Sequence, residues 1–404
     1  MNAERYAPEL RLAIDGEPVP AALRAAVTSV SLQRGLEGVD RVELGLANEG
    51  LRWLDHPMLA LDRDLTLFLG YAPDPLVQMF SGEIVGQSAS FPSSGMPALT
   101  VVAQDRRYRM QRGNASRWFA IAVPKTTNLP LPDVAVAGAL SAGYGLIPIV
   151  DPVAGALAVL IGGASALAAV ADKDVQKVIR KQSGESDYDL LAKLCVENGW
   201  DMTVDHGAAL GGRVLRFSSA ADRLQPDVTL KYGRDLIEFS PRVSTVGQVA
   251  GVSAHIWQPD LKMSFAISVG WDWDRQSLEL RIVPGGAEAA PQADKAQFML
   301  LDKPLTRTNA ARTLMGTLLP RLNKRLTGSG STVGDPRIEP GGVLRLEGLG
   351  EKFGGLYRVT SVTQTLDSGG WRTSFEVRKE IWFAAIAAAE QGAVAVPMAL
   401  RGPA

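Results

Sequence analysis

Cysteine is almost missing from this chain. Its 404 residues hold one, Cys195, so no disulfide can form within it and folding needs no oxidising compartment. Histidine is nearly as scarce: His56, His206 and His255 lie far apart in sequence and offer no zinc-ligand cluster. An excess of either charge is absent too. Lys+Arg 42 against Asp+Glu 43 leaves a net charge of -1, which disfavours a partner built of phosphate backbone and any nucleic-acid specificity. The opening MNAERYAPELRLAIDG has no apolar run behind a basic start, so it does not read as a secretory signal. No Gly-x-Ser-x-Gly elbow, phosphate loop, His-Glu-x-x-His or dinucleotide fingerprint occurs. The residues therefore nominate no catalytic, cofactor-binding or metal-ligating set, and the expectation is a protein that is not an enzyme.

What remains is ordinary folded material, 46% apolar and 21% charged, long enough for several domains. From Leu10 to Val102 the pattern is of short strands. Arg11 to Ile14 reads as a strand closed by the turn Asp15-Gly16. Val27 to Leu32, Arg41 to Leu46, Leu65 to Gly70, Phe80 to Ala89 and Ala98 to Ala103 follow, in part alternating apolar and polar residues. Such a series argues for a small barrel or sandwich. Pro132 to Leu140 reads as a short helix. Ser186 to Gly199 is the clearest helix: Ser186 is placed to accept from the Asp189 amide, and Leu190, Leu191, Leu194 and Cys195 share one apolar face. Gly199 suits a left-handed stop. Cys195 on that face reads as a small buried hydrophobe. Strands return at Val228 to Phe239, Val249 to Val283 and Val343 to Val377, with a helical run at Thr306 to Leu326 broken by Pro320. Gly328 to Asp335, GSGSTVGD, reads as a flexible connector.

Two stretches share a layout. FSGEIVGQSASFPSSGMPALTVVAQD starts at Phe80, and FGGLYRVTSVTQTLDSGGWRTSFEVRKE starts at Phe353. Each opens Phe-x-Gly, runs as a strand, turns at a Ser/Gly cluster and returns as an alternating strand. A further strand and a glycine precede each. The reading is one barrel-like unit present twice, about 275 residues apart. Three such chains in a ring present six similar domains, able to face a hexamer on one side and a trimer on the other.

Other stretches carry a choice. Ala154 to Ala171 is uncharged, but rich in Ala and Gly, and Gly162-Gly163 weakens a single helix. A buried or trimer-facing helical insertion is the main reading, with a mobile apolar loop or membrane contact as the alternatives. Lys303, Arg307, Arg312, Arg321, Lys324 and Arg325 form one basic run, and Arg106, Arg107, Arg109 and Arg112 another. A solvated face is the default for both, and contact with an acidic neighbour or cargo the alternative. Asp272 and Asp274, in WDWD, project to one side of a strand and mimic a carboxylate pair, but nothing around them reads as a sugar cleft. The three histidines read as structural or surface residues.

The closing stretch resembles the last strands of the phage late control gene D proteins, the baseplate hubs of contractile tails. The hub portion of the valine-glycine repeat protein G of type VI secretion is similar. The matching positions are Pro340, Gly341, Gly348, Phe353, Gly355, Tyr357, Val359, Thr373 and Phe375. Ser186 to Trp200 and Val228 to Thr245 resemble two further family segments in the family's order, so the likeness runs from about Tyr6 to Phe383. The resemblance implies a β-dominated α+β fold with two tube-like antiparallel β-barrels per chain, mixed α/β domains between them, and assembly as a pseudo-hexameric trimer. By its layout, 1–112 is the first barrel and 113–227 a mixed domain carrying the insertion 154–171. The second barrel is split into 228–249 and 334–383 around an inserted unit at 250–333, and 384–404 is an Ala-rich tail.

The implied role is a structural hub that adapts a hexameric inner tube to a trimeric spike, with baseplate wedge components as further partners. It implies assembly in a bacterial cytoplasm and then a place in the baseplate of a virion, tailocin or extracellular injection system. No spike repeat, oligosaccharide-binding barrel or lysozyme segment is visible, so the needle is expected as a separate protein. The alternatives are a tail-tip module that binds glycan or hydrolyses peptidoglycan, and a membrane-contacting tip protein.

Overall fold

The computed structural model describes residues 7–122, 128–171, 178–207, 210–243, 249–258, 263–272, 277–284, 297–300, 312–313 and 326–380; between 249 and 300 the description is of strands alone. The alternation of the first quarter becomes β1 (Ala7–Ile14), β2 (Glu17–Pro18), β3 (Val27–Gly35), β4 (Arg41–Ala47), β5 (Asp64–Ala72), β6 (Val77–Ser90) and β7 (Ala98–Gln104). A short helix, α1 (Ala21–Ala26), leads into β3. Asp15 and Gly16 both have positive φ, 51° and 83°, which makes β1 and β2 a two-residue hairpin matched to strand twist. Successive strand residues point to opposite faces. Val30, Leu32, Leu44, Leu46, Leu65, Leu67, Leu69, Leu99 and Val101 therefore meet in one buried cluster. Each such side chain contributes roughly 1.5–3 kcal/mol on leaving water.

The middle of the chain is a separate core. It comprises β8 (Ala115–Ile121), β9 (Leu129–Pro130), α2 (Asp133–Ala142), β10 (Ile147–Val150), α3 (Pro152–Ala171), β11 (Arg180–Glu185), α4 (Asp187–Asn198), β12 (Asp201–Asp205) and β13 (Val214–Ser218). Two small sheets, ordered β11-β8-β9 and β10-β13-β12, are joined by the helices. α4 is the helix expected: Ser186 Oγ accepts from the Asp189 amide at 3.1 Å, and Gly199 stops it with φ 67°. Leu190, Leu191, Leu194 and Cys195 are buried together with α2 and α3 residues.

α3 shows what becomes of the uncharged stretch. It is helical through Gly162 and Gly163, and is held by a stripe of Ala154, Ala158, Ile161 and Ser165, all buried. The Asp222 carboxylate accepts from the Val153 and Ala154 amides at 2.7 and 3.1 Å, capping the helix start from outside. Trp200 Nε1 donates to the Ala154 carbonyl at 2.9 Å. The opposite side leaves Val159 and Leu160 exposed. Among the described residues no helix is long and apolar enough to cross a membrane.

The last part supplies β14 (Val228–Lys231), β15 (Leu236–Val243), then β16 (Val249–Gln258), β17 (Met263–Asp272), β18 (Ser277–Pro284) and β19 (Gln297–Leu300), which form their own sheet in the order β18-β17-β16-β19. β20 (Leu326–Val333), β21 (Val343–Glu347), β22 (Gly355–Asp367) and β23 (Gly370–Arg378) complete the description. β20 corrects the reading of Gly328 to Asp335 as a flexible connector. Most of that stretch is strand, paired to β15 on one side and β23 on the other. Its small residues are there because aromatic rings lie across it. A Cβ on Gly330 would meet the Phe375 ring at 2.9 Å, and one on Gly334 the Trp371 ring at 2.1 Å. The helical run expected at Thr306 to Leu326 lies outside the described residues, apart from Arg312 and Thr313 in a helical turn and Leu326, which opens β20. The tail 384–404 also lies outside them.

The internal repeat is visible as a repeat of strand order. One large sheet runs β15-β20-β23-β22-β3-β4-β7-β6-β5-β1-β2, with β21 and β14 continuing from β22. The first unit reads β3-β4-β7-β6-β5-β1, and the second β15-β20-β23-β22-β21-β14, the same order in the same chain sequence. The irregularities repeat as well. The β3·β4 ladder shifts between Val27 and Ser29, and β15·β20 between Leu236 and Glu238. The β6·β7 ladder shifts between Ile84 and Gly86, and β22·β23 between Val359 and Ser361. The bond Asp62 N–H to Ile84 O recurs as Gly341 N–H to Val359 O, with positive φ at both Asp62 and Gly341. The one difference in pairing sense is that β1·β5 is antiparallel and β14·β21 parallel. Bulges re-aim a strand and fix register, so four matched shifts are far stronger evidence than two similar hairpins.

Candidate functional site

The two units join edge to edge. β22 pairs β3 over Ser361–Leu366 and Gly35–Val30, so one continuous sheet crosses the joint. Core residues cross it too. Trp371, on β23, is buried within the first unit's cluster, its ring centroid 5.0 Å from that of Tyr71, and its Nε1 donates to Gln364 Oε1 at 2.8 Å.

Beside this joint lies a buried knot of charge. Arg107 is fully buried. Its Nη2 sits 2.8 Å from Asp105 Oδ2 and 3.0 Å from Asp40 Oδ1, and its Nη1 donates to the Met202 carbonyl at 3.0 Å. Asp105 also accepts from the Asp40 amide at 2.6 Å. Arg34 stands 3.5 Å from Asp40 and donates to Glu339 at 3.1 Å, tying the first unit to the loop before β21. Burial raises the Asp40 pKa, but Arg107 first, then His206 and Arg34, outweigh it and hold the carboxyl well below the usual carboxylate range. Burial lowers the Arg107 pKa, and Asp105 and Asp40 more than reverse it.

His206 fastens the middle domain to the same knot. The Ser81 amide donates to its Nδ1 at 3.1 Å, so Nδ1 carries no proton; Nε2 carries it and donates to Asp40 Oδ2 at 2.9 Å. Gln78 Nε2 donates to the His206 carbonyl at 2.6 Å, and the rings of Phe80 and His206 lie 5.1 Å apart. Gly212 lets the loop approach: a Cβ there would stand 2.7 Å from the Ser81 carbonyl oxygen. On the far side, Asp201 receives the fully buried Arg358, with Arg378 at 3.7 Å and Arg378 Nε donating to Glu380 at 2.7 Å. Burial raises the Glu380 pKa against Arg378 and Arg358. The arrangement is an ionic clamp between the first unit, the middle domain and the second unit.

For Arg107 and Arg106 this overturns the default reading of the basic run at Arg106 to Arg112 as a solvated face, while Arg109 and Arg112 are exposed, as that reading has it. Arg107 is the centre of the clamp. Arg106 reaches Asp64 at 3.0 Å, and Arg109 and the Tyr108 hydroxyl reach the buried Glu83 at 2.9 and 2.6 Å. Arg112 lies over the Tyr108 ring at 4.7 Å. In the other run only Arg312 is described; it is mostly buried, 3.7 Å from Asp133, so it too departs from a solvated face. Lys303, Arg307, Arg321, Lys324 and Arg325 lie outside the described residues.

The remaining candidates are scattered. His56 accepts from the Met58 amide at 3.3 Å in a turn, and His255 and Trp257 fall on β16. Asp272 ends β17, and Asp274 lies outside the described residues. Cys195 is buried, and burial pushes its thiol pKa far up. Among the described residues no group of three or more His, Cys, Asp or Glu is placed to hold a metal ion.

Two concavities accompany the clamp. A cleft of about 380 Å³ lies at the three-way junction, lined by Leu36, Tyr188, Cys195, Trp200, Asp201 and Arg378. A groove of about 420 Å³ on the second unit is lined by Glu238, Glu376, Ser329, Ser361, Thr363 and Ser374. Ser331 donates to Glu238 and Ser361 to Glu376, each at 3.0 Å.

Residues 157–368, just over half of the chain, match the family model described as the Alg8 N-terminal domain. The chain belongs to that family. The Alg8 N-terminal domain description names no activity, and no curated protein matches the chain. Solved structures match along nearly all of it. The 43 kDa tail protein of prophage MuSo2 from Shewanella oneidensis has a TM-score of 0.60 at 14% identity, covering 92% of this chain and 98% of its own. A tail protein from Neisseria meningitidis MC58 has 0.57 at 10%, covering 94% and 99%. The Escherichia coli c3393 protein, a type VI secretion component described as similar to the T4 tail proteins gp27 and gp5, has 0.54 at 14%, covering 91% and 76%. At such identities the likeness is one of fold. This member of the Alg8 N-terminal domain family therefore has the fold of phage tail proteins and of a type VI secretion component, as its baseplate-hub motifs implied.

Proposed function

We propose that the chain is a non-enzymatic structural hub on the axis of a contractile tail-like particle. Three copies form a ring of six similar units that adapts a hexameric inner tube to a trimeric spike, within a baseplate. The units are 1–112 and a split second unit, 228–249 with 334–383, to which β20 is added. The mixed domain 113–227 lies between the two units, and the rest of the inserted stretch, 250–325, interrupts the second. The repeated strand order with its matched register shifts carries this reading, because a chain that presents one edge and one face twice meets a sixfold object with threefold copies. The ionic clamp fits a part that bears load: it locks three regions of the chain into one body. The tail-protein folds of its structural neighbours support the same role.

Light scattering on the purified chain, alone and mixed with its tube and spike neighbours, tests the proposal. Each chain is 43.1 kDa, so a trimer weighs about 129 kDa, and mixtures give heavier complexes. A chain that stays monomeric alone and in every mixture refutes it.

A further inference from the structure

The joint inside the chain is a template for a joint between chains. β22 keeps β21 on its early residues and, beyond Val359, offers the same edge to β3. β6 is its counterpart: β5 covers it up to Glu83, and beyond Ile84 no described strand pairs that edge. β15 is the counterpart of β3. It stands at the end of the sheet order, with β20 on one side and, from Phe239 to Val243, no described strand on the other. Each half of the internal joint thus recurs once in the chain without its mate.

We infer that the edge of β6 beyond Ile84 takes β15 of a second copy of this chain, antiparallel, in the register of β22 with β3. The inference rests on the hub reading and adds where the copies touch. The matched register shifts set the correspondence. β6 residues lie 275 before their β22 equivalents, Ile84 for Val359, and β15 residues 209 after their β3 equivalents, Leu236 for Val27. Carrying the β22·β3 pairs across places Gln87 opposite Val243, Ser88 opposite Arg242, Ala89 opposite Pro241, Ser90 opposite Ser240 and Phe91 opposite Phe239.

The faces agree. In the internal joint Val362, Gln364, Leu32 and Val30 point inward and are buried. Their counterparts Gln87, Ala89, Pro241 and Phe239 share an inward face with Phe91, which is 60% exposed in the single chain, and Val243, 38% exposed. Pro241 gives the ladder one donor fewer than Leu32 does, a residue type tolerated at strand edges. Such a contact is head-to-tail, so it builds a closed ring or an open filament and never an isolated pair.

The test is the full chain carrying Ser88→Cys with Arg242→Cys, residues on the outward face of the proposed ladder, where cross-strand Cα distances suit a disulfide. Buried Cys195 stays out of the reaction. Mild oxidation is expected to give linked species of two and three chains and none larger. Each single variant, and the pair Ser88→Cys with Pro241→Cys, whose side chains point to opposite faces, are expected to give no linked species. Phe91→Asp is expected to abolish assembly while leaving the melting temperature of the single chain unchanged. Trimers by mass with no link in the Ser88→Cys/Arg242→Cys chain overturn the joint and spare the hub reading. Linked ladders running past three sustain the joint and overturn the trimer. Assembly that survives Phe91→Asp overturns the joint.

Discussion

Arg107→Met is the most informative single change. It keeps much of the side chain's length and removes its charge. Asp105 and Asp40, both buried, lose their common cation, and the Met202 carbonyl loses its donor. Asp40 retains His206 and the more distant Arg34. Breaking a buried pair from one side costs about 3–5 kcal/mol, because the remaining charge stays desolvated. For a cooperative unit of 150–250 residues that corresponds to a melting temperature lower by roughly 6–20 °C.

The acid limb moves in a defined direction. The folded pKa of Asp40 lies below its unfolded value of about 3.9, so its stabilisation is complete above that pH and is lost as pH falls towards the folded value. Arg107 is the largest influence opposing burial at Asp40; without it the pKa rises, and acid unfolding begins at higher pH. Calorimetry and an acid titration followed by near-UV circular dichroism measure both effects. Adding Asp105→Asn is expected to recover part of the loss. A variant within about 1 kcal/mol of the parent, with an unmoved acid limb, refutes the clamp.

Two further outcomes follow from packing. Gly334→Ala puts a methyl group into the Trp371 ring and is expected to cost about 1–3 kcal/mol, read as a lower melting temperature; an unchanged melt refutes the tight seat. Cys195, buried with its pKa raised, is expected to resist thiol reagents in the native protein at neutral pH and to react on unfolding, so labelling of the native chain contradicts its placement.

Much of the fold was legible where cause is local. α4 is written in its own residues, from the Ser186 cap to the Gly199 stop. The repeat showed through Phe-x-Gly and a turn cluster, although the matched register shifts that establish it are not sequence signals. β20 was misread because Gly and Ser have little strand propensity of their own; Phe375 and Trp371, 37 to 45 residues on, make that stretch a strand. The clamp was missed for a related reason. Asp105 stands two residues before Arg107 and was a usable cue, but Asp40 lies 65 residues earlier and His206 is 166 residues from Asp40. No periodicity links such residues.

Trp371 belongs to one unit by sequence and to the other by packing. A ribosome making this chain emits β1 to β7 long before residue 371 of 404. Until then the first unit waits with an aromatic seat unfilled and the β3 edge bare, a nascent surface that invites chaperones or wrong partners. The first unit cannot finish maturing until β23 has been synthesised, and no fragment ending before β23 should reproduce its native rigidity.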